Sequence, residues 1–251
     1  DRLTEFPLGL FGVAIGTVIL PYLSRQHAAD NREGYNHALD WGMKTVCLIG
    51  IPAAVGLMLL AEPLCASLFQ YGKFDAQDTR MVAAAVSAMS IGIPAFMLSK
   101  VLLSAFFSRH DTKTPMKVAV WTVLVNIVLI ALLVTVLRWL ESPFAHVGIA
   151  LATATAGIFN AVALEHLLRR DGAYSPEAGW GLWLLKIAAA SVVMAAVVLL
   201  IRWQVGDWRL LPVLHRIGWL LVAVIAGACS YLATHWAFGL RLHHLREVQR
   251  P

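Results

Sequence analysis

Seven long apolar stretches follow one another along the chain, and short polar stretches separate them. A helix needs about 20 apolar residues to cross the hydrocarbon core of a bilayer. Helices are expected rather than barrel strands, because the runs are too long for such strands and because a helix pairs its own backbone amides in lipid. The predicted spans are residues 3–24, 40–62, 82–106, 116–138, 146–168, 181–202 and 214–238.

Two of these spans carry the same five residues, IGIPA, at 49–53 and 91–95. A match this short in such an apolar chain is weak evidence of duplication. The repeated motif does place a proline inside each span, Pro52 and Pro94. Such a proline removes a backbone hydrogen bond and can kink the helix. Pro115 suits the first turn of the fourth span.

The orientation is predicted from lysine and arginine in the connecting segments. The connections after the first, third and fifth spans, together with the C-terminal tail, hold ten such residues, and the alternate connections hold six. Basic residues concentrate on the cytoplasmic side of a membrane protein. The sequence therefore predicts a cytoplasmic C-terminus and an outer position for Asp1.

Composition agrees with an integral membrane protein. Of 251 residues, 59% are hydrophobic and 14% are charged, and the mean hydropathy is +0.70. The net charge of +5 fits cytoplasmic loops against anionic lipid, and no basic run interleaved with aromatics indicates nucleic acid. The three cysteines show no paired or metal-binding spacing, and no metal-ligand, nucleophile or phosphate-loop motif appears. The chain starts without Met at the edge of a span, so we expect a C-terminal piece of a longer protein.

Arg2 is the most informative residue for function. An arginine at the head of a span usually faces a water-filled cavity or a partner, and Glu5, three residues later, shares its helix face. Gly9, Gly12 and Gly16 allow close helix packing, and Pro7 can bend the helix below the charged cluster. From the residues alone, an interfacial ion pair and a cavity-lining cation remain equally open.

Four further groups inside the spans are candidates for binding. Lys100 either snorkels to the headgroups, the interpretation favoured by its position late in the third span, or meets an anionic substrate in a cavity. Asn126, Thr155 and Asn160 could coordinate a cation, but hydrogen bonding between helices is the favoured interpretation of such polar groups.

Three stretches together resemble a known family. They are DRLTEFPLGLFGVAIGTVILPYLS at 1–24, SLFQYGKFDAQDT at 67–79 and AFFSRHDTKTPMKVA at 105–119. They are similar to the C-terminal half of the MurJ/MviN lipid II flippases, within the multidrug/oligosaccharidyl-lipid/polysaccharide exporter superfamily.

The resemblance implies an all-α integral membrane fold, the C-terminal part of a fourteen-helix transporter with two six-helix lobes and two extra helices. Residues 1–170 would be helices eight to twelve of the family, in the C-terminal lobe. Residues 171–251 would hold the two extra helices, which form a groove for the lipid tail, and a cytoplasmic tail.

The resemblance also implies the substrate and its site. The substrate would be lipid II, an undecaprenyl-pyrophosphate-linked disaccharide-pentapeptide, flipped from the inner to the outer leaflet of the bacterial cytoplasmic membrane by alternating access. Arg2 matches a required arginine of a cationic central cavity, Asp1 and Glu5 match its acidic neighbours, and Lys100 is a further candidate there. A guanidinium can offer a pyrophosphate two charge-assisted hydrogen bonds.

No organic cofactor and no metal cofactor is expected. Membrane potential drives transport in the family, and in some members sodium is held in the C-terminal lobe, where Asn126 and Thr155 are candidate ligands. The partners implied are membrane lipids and the N-terminal lobe of the same protein, with no nucleic acid.

The main rivals are another exporter of the same superfamily, carrying drugs or O-antigen lipid, and a membrane enzyme acting on polyprenyl lipid. A cation exporter should not line its cavity with arginine. The enzyme is disfavoured because the segment 25–39 offers only Asp30 and Glu33 near His27 and His37.

Overall fold

The computed structural model consists of helices in every regular element that it describes. It describes residues 2–141 and 143–239 and, within them, all side chains except those of Arg2, Phe6, Pro7, Phe11, Val13 and Arg209. The α-helices are α1 Arg2–Pro7, α2 Val13–Ala28, α3 Arg32–Phe69, α4 Ala76–Ser90, α5 Ile93–Ser108, α6 Lys113–Trp139, α7 Val147–Arg170, α8 Trp180–Val205 and α9 Val213–Ala237. A π-helical segment, Leu8–Gly12, joins α1 to α2, and a short 3₁₀ turn, Trp208–Leu210, precedes α9.

Within the described residues, six helical stretches are long and apolar enough to cross a membrane, and a seventh is obtained if the bent pair α4–α5 counts as one span. The all-helical, seven-span expectation is therefore confirmed. The connections after α2, α5 and α7 lie at the predicted cytoplasmic face, and those after α3, α6 and α8 lie at the predicted outer face.

The second span is longer than the sequence pattern predicts. We expected helix over 40–62 and a polar connection over 25–39, but α2 ends at Ala28 and α3 already begins at Arg32. The Asn31 side chain accepts a hydrogen bond from the Gly34 amide, which caps the first turn of α3. The prediction counted only apolar residues and therefore began the span at residue 40. The helix itself starts earlier, because polar residues can also be helical where the chain extends beyond the apolar segment.

Pro52 and Pro63 lie inside α3, which is continuous from Arg32 to Phe69. A proline cannot donate to the carbonyl four residues earlier, so Pro52 frees the Leu48 carbonyl and Pro63 frees the Leu59 carbonyl. The kink expected at Pro52 does not interrupt the helix. Both freed carbonyls have partners on other helices, which are described below.

The third predicted span, 82–106, is in fact two helices. It starts earlier, at Ala76, because Asp75 and Asp78 form a capping box. It breaks at Ile91 and Gly92, where α4 and α5 meet at 41°. Pro94 explains the break, since its ring would clash with the Ser90 carbonyl if the helix continued unbroken.

The two IGIPA sequences pack against each other. A Cβ added at Gly50 would lie 3.3 Å from the Pro94 Cα. A Cβ added at Gly92 would lie 2.9 Å from the Ala154 Cα on α7. The glycines of the repeated motif therefore permit three helices, α3, α5 and α7, to approach one another closely.

The main core lies between α2, α3, α5 and α7. Its fully buried members include Leu23, Leu39, Val101, Phe106 and Leu164. In contrast, α6 buries only Pro115 and Val118 and packs chiefly on α7. The helix pair α8–α9 packs on itself and on α3, through small clusters separate from the main core.

Candidate functional site

The opening helix α1 places Arg2 at the predicted outer end of the bundle. Asp1 and the Arg2 side chain lie outside the described residues, whereas the Arg2 backbone begins α1. The Glu5 side chain is solvent-exposed, and its position one turn after Arg2 puts the two residues on the same helix face. The predicted contact between Arg2 and the carboxylates stays a prediction.

A π-helical segment follows Pro7 directly. A proline inside a helix interrupts the regular hydrogen-bond pattern, and the widened segment begins at the next residue. π-segments inside helices are frequent at functional sites. The predicted irregularity below the charged cluster is therefore present, and it takes the form of a π-turn between α1 and α2.

Lys100 lies on α5 beside this segment. Its Cγ would be 3.8 Å from a Cβ added at Gly12, and the side chain is exposed. Gly12 follows Arg2 by ten residues, which is about 15 Å along a helix axis. The structure thus brings Lys100 to the helix that carries Arg2, but at a greater depth in the membrane than Arg2 itself.

A cleft of about 620 Å³ lies between α1, α4 and α7 at the predicted outer end. Its mostly apolar lining includes four polar groups: Thr4, Asp78, His146 and Thr153. The His146 ring is held in place, since its Nε2 lies 2.9 Å from the Met81 carbonyl oxygen. Thr4 follows Arg2 by two residues, so the beginning of α1 borders a partly polar hollow.

The two candidate cation ligands lie at similar depth but on different faces. Thr122 meets Asn160, and Gly148 packs on the backbone near Val134, so the antiparallel register of α6 and α7 sets Asn126 near the level of Thr155. The Asn126 Oδ1 is buried without a hydrogen-bond partner among the described residues. The exposed Thr155 donates to the Leu151 carbonyl of its own helix.

Asn160 forms the interhelical contacts that its position inside a span favoured. It accepts a hydrogen bond from Thr122 on α6 at 3.2 Å and donates to Ser99 on α5 at 3.1 Å. One amide therefore joins three helices within the apolar layer. Such bonds stabilise helix association in lipid, where an unpaired polar group has no water.

Sequence reasoning missed a buried cluster around Asp40 at the predicted cytoplasmic face. The Asp40 carboxylate is fully buried. Its Oδ1 accepts hydrogen bonds from the Tyr174 hydroxyl at 2.6 Å and from the Trp180 indole at 2.7 Å, and its Oδ2 lies 2.5 Å from the Lys44 ammonium. The four-residue spacing of Asp40 and Lys44 was the available signal, because oppositely charged residues at i,i+4 meet on a helix.

The connection between α7 and α8 is fixed by this cluster. Tyr174 and Glu177 belong to the connection, and Glu177 contacts both Lys44 at 3.4 Å and His37 at 2.8 Å. Burial, together with the hydrogen bond to Asp40, raises the pKa of the Tyr174 hydroxyl. That hydroxyl therefore remains a donor to Asp40 at neutral pH.

Two arginines bind the other end of α3, although the charge pattern alone identified them only as outer-face residues. Arg202 of α8 donates to the Leu59 carbonyl at 2.6 Å and pairs with Glu62 at 3.3 Å. Arg216 of α9 is 7% exposed and donates to the Ala66 carbonyl at 3.0 Å. Arginines at the outer ends of α8 and α9 thus pack against the protein as well as setting topology.

A second cleft, of about 370 Å³, opens at the predicted cytoplasmic face beside His27, Asp30 and Glu33. His37, which the sequence grouped with these residues, instead contacts Glu177. Over residues 2–141 and 143–239, no three His, Cys, Asp or Glu side chains are grouped as metal ligands.

The fold defines a multi-pass helical membrane protein, in which a helix pair, α8–α9, packs on α3 of a larger helix bundle. The family described as "Lipid II flippase MurJ" matches residues 1–217, and the chain belongs to this family.

Curated relatives agree with the family match. The chain is 38% identical over 251 residues to a probable lipid II flippase MurJ of Vibrio cholerae, covering 99% of the chain and 46% of the relative. It is 35% identical over 253 residues to that of Haemophilus influenzae, covering 98% and 48%. It is 34% identical over 256 residues to the lipid II flippase MurJ of Burkholderia cenocepacia, covering 98% and 47%. The chain therefore spans about half the length of the relatives it matches.

Proposed function

We propose that this chain is the C-terminal half of a flippase that moves lipid II from the inner to the outer leaflet of the bacterial cytoplasmic membrane. The observation that carries the proposal is the family match over residues 1–217, together with relatives named as lipid II flippases that align with nearly the whole chain. The number and length of the apolar helices support a multi-pass transporter.

Arg2 is the residue that we assign to the pyrophosphate. A diphosphate crossing a low-dielectric layer needs fixed positive charge, and a guanidinium supplies it with bidentate geometry. Arg2 begins α1 on the helix face that it shares with the exposed Glu5, whereas Thr4, on another face, borders the 620 Å³ cleft. The exposure of the face that carries Arg2 supports this role. Asp1 and Glu5 would orient the guanidinium and weaken its hold, so that the substrate can leave.

Lys100 would act earlier than Arg2 along the same path, because it lies closer to the cytoplasmic side. It lies beside the π-segment of the opening helix, about 15 Å from the level of Arg2. Two cations at different depths would let an anionic headgroup pass from one to the other as the two lobes alternate. Alternating access by movement of one lobe against the other is the usual mechanism of such transporters.

The helix pair α8–α9 would hold the undecaprenyl tail. Many of its large apolar side chains are exposed, including Leu185, Val192, Leu200 and Leu214, and an isoprenoid chain needs such a surface. The distribution of lysine and arginine supports a cytoplasmic C-terminus and an outer position for the start of α1.

Sodium coupling through Asn126 is a further proposal. Its buried Oδ1, without a partner among the described residues, is suited to a cation, since a buried polar oxygen without a partner is unfavourable. Thr155, the other candidate ligand, lies at similar depth but on a different face, so further ligands would come from the half of the family protein outside this chain.

The decisive experiment replaces Arg2 by Ala in the full-length protein and measures lipid II exposed at the outer leaflet. We expect translocation to be lost while the protein still accumulates in the membrane. Arg25→Ala is the matched control, because Arg25 is an exposed arginine near the other end of the same helical span. Normal translocation with Arg2→Ala would remove the central assignment.

The role of the carboxylates has its own test. Glu5→Gln should tighten binding of lipid II and slow its release, because the carboxylate at this exposed position no longer competes for the guanidinium. Unchanged affinity and unchanged release would show that Glu5 does not modulate Arg2.

A further inference from the structure

Three backbone carbonyls of α3 that lack an amide donor in their own helix lie next to the helix pair α8–α9. Pro52 and Pro63 free the carbonyls of Leu48 and Leu59. The Ala66 carbonyl lies in the last turn, where the helix ends without further amides to donate. In lipid, an unpaired carbonyl costs several kcal/mol as an order of magnitude, so each of the three requires a donor.

The helix pair α8–α9 supplies a donor to each of them. The Tyr231 hydroxyl of α9 donates to Leu48 at 2.7 Å. The Arg202 guanidinium of α8 donates to Leu59 at 2.6 Å, and the Arg216 guanidinium of α9 donates to Ala66 at 3.0 Å. The carbonyls freed by the two prolines thus accept hydrogen bonds from side chains of the helix pair.

The predicted cytoplasmic end of the same interface is held by the Asp40 carboxylate. It accepts hydrogen bonds from Tyr174 and from Trp180, which is the first residue of α8. Lys44 pairs with this carboxylate and lies 5.7 Å from the centre of the Trp180 ring. The contacts between α3 and the helix pair therefore extend along α3 from one membrane face to the other.

Two other irregular points of the chain lie in other helices. The π-segment separates α1 from α2, and the 41° break separates α4 from α5. Helix motions concentrate where backbone hydrogen bonding is interrupted. The two prolines of α3 interrupt it as well, but there each freed carbonyl is bonded to a neighbouring helix.

We propose that α3, α8 and α9 move as one rigid body during the transport cycle. The prolines of α3 hold this body together, because the carbonyls that they free form hydrogen bonds with side chains of α8 and α9. Tyr231, Arg202 and Asp40 are then positioning residues for the lipid-tail groove. This role of the groove rests on the proposed flippase function. The rigidity of the three helices stands independently of it.

The first test measures distances in the full-length protein in nanodiscs by double electron–electron resonance. One spin-label pair joins Glu33 on α3 to Leu182 on α8 at the predicted cytoplasmic end, and another joins Leu68 to Trp203 at the outer end. All four side chains are exposed and take no part in the contacts between α3 and the helix pair described above. We expect a single narrow distribution for each pair, with the same maximum with and without lipid II.

A broad distribution, or a maximum that shifts with lipid II, would overturn the rigid-body proposal. A third pair joins Glu33 to the half of the protein outside this chain and reports lobe movement. If wild-type protein transports no lipid II but both distances within the three-helix body stay narrow, the proposed function fails while the rigid body stands.

The second test asks whether Pro52 makes the Leu48 carbonyl available to Tyr231. Tyr231→Phe removes the donor to Leu48, and it should lower thermal stability in the wild-type background. In a Pro52→Ala background, the new backbone amide at position 52 can bond to the Leu48 carbonyl itself, so Tyr231→Phe should then cost much less. This non-additivity is the signature of a direct link between the two residues.

Tyr35→Phe is the matched control for this cycle. The Tyr35 hydroxyl is buried and donates to the Ala105 carbonyl at 2.8 Å, but no proline frees that carbonyl. Its effect should be the same in the wild-type and Pro52→Ala backgrounds. An equal loss of thermal stability from Tyr231→Phe in both backgrounds would refute the link between Pro52 and Tyr231.

Asp40→Asn tests the positioning role at the cytoplasmic end. An amide nitrogen facing Lys44 cannot pair with it, so the Glu33–Leu182 distribution should broaden while the Leu68–Trp203 distribution stays narrow. Transport should slow with lipid II affinity unchanged, and Asp40→Glu should recover part of the rate. Glu165→Gln, which breaks the intrahelical pair with Arg169, should change neither readout. Wild-type distances and transport in Asp40→Asn would contradict the role of Asp40.

Discussion

Gly92→Ala tests whether the close approach of α5 to α7 limits the stability of the bundle. Gly92 lies in the break between α4 and α5, outside regular helix, so an alanine gains no helix propensity there. The new Cβ would lie 2.9 Å from the Ala154 Cα and 2.8 Å from the Phe96 ring. The ring can rotate, but the α7 backbone has to move.

The magnitude follows from the overlap. Carbon atoms in contact prefer about 3.5–4.0 Å, so the backbones must separate by roughly 0.6 Å or more at this point. Overpacking of this kind costs about 1–3 kcal/mol. Because Asn160, Thr122 and Ser99 join the same helices through hydrogen bonds, a separation there strains those bonds too.

The measurement is thermal unfolding of the full-length protein in detergent, followed by tryptophan fluorescence. Gly218→Ala on α9 is the control, because a Cβ there meets nothing within 4 Å and alanine in a helix interior is favoured over glycine by about 0.5–1 kcal/mol. We expect a lower midpoint for Gly92→Ala and an unchanged or higher midpoint for Gly218→Ala. Equal midpoints for the two variants would refute the tight contact at Gly92.

Three further variants have defined outcomes in the same assay. Arg216→Met removes the hydrogen bonds to the Leu211 and Ala66 carbonyls. It should lower the free energy of unfolding by about 3–6 kcal/mol, because each hydrogen bond to a charged group contributes about 1.5–3 kcal/mol. A loss smaller than the contribution of one neutral hydrogen bond would contradict the stabilising role of Arg216. Asn160→Leu should cost about 1 kcal/mol, and no loss at all would show that the amide contributes no net stability. Asp111 accepts hydrogen bonds from the Thr114 side chain and from the amides of Thr114 and Lys113, and these bonds lower its pKa. Its stabilising effect on α6 should therefore be present above about pH 4 and be lost as the pH falls through the lowered pKa, so that Asp111→Asn and wild type converge in acid; a constant difference at all pH values would exclude the carboxylate as the cap.

The sequence by itself determined the class of protein and its spans. Apolar runs of membrane length allow only helices, since lipid offers backbone amides no other partner, and six or seven such helices are present in the described part of the chain. The resemblance of residues 1–24, 67–79 and 105–119 to lipid II flippases was sufficient to predict the family. The interhelical role of Asn160 also followed from its position, because a polar amide inside a span must find a partner.

Only the tertiary structure decided which polar groups meet. Asp40 and Tyr174 are far apart in sequence, and no local pattern places one against the other. The sequence indicated that Pro52 can kink its helix, yet α3 continues through it. The Tyr231 hydroxyl on α9 donates a hydrogen bond to the Leu48 carbonyl that Pro52 frees. The hydropathy of a segment predicts whether it lies in the membrane, because it measures the free energy of moving its side chains from water to lipid. The hydrogen-bond donor that a buried carbonyl finds depends instead on which helix packs beside it.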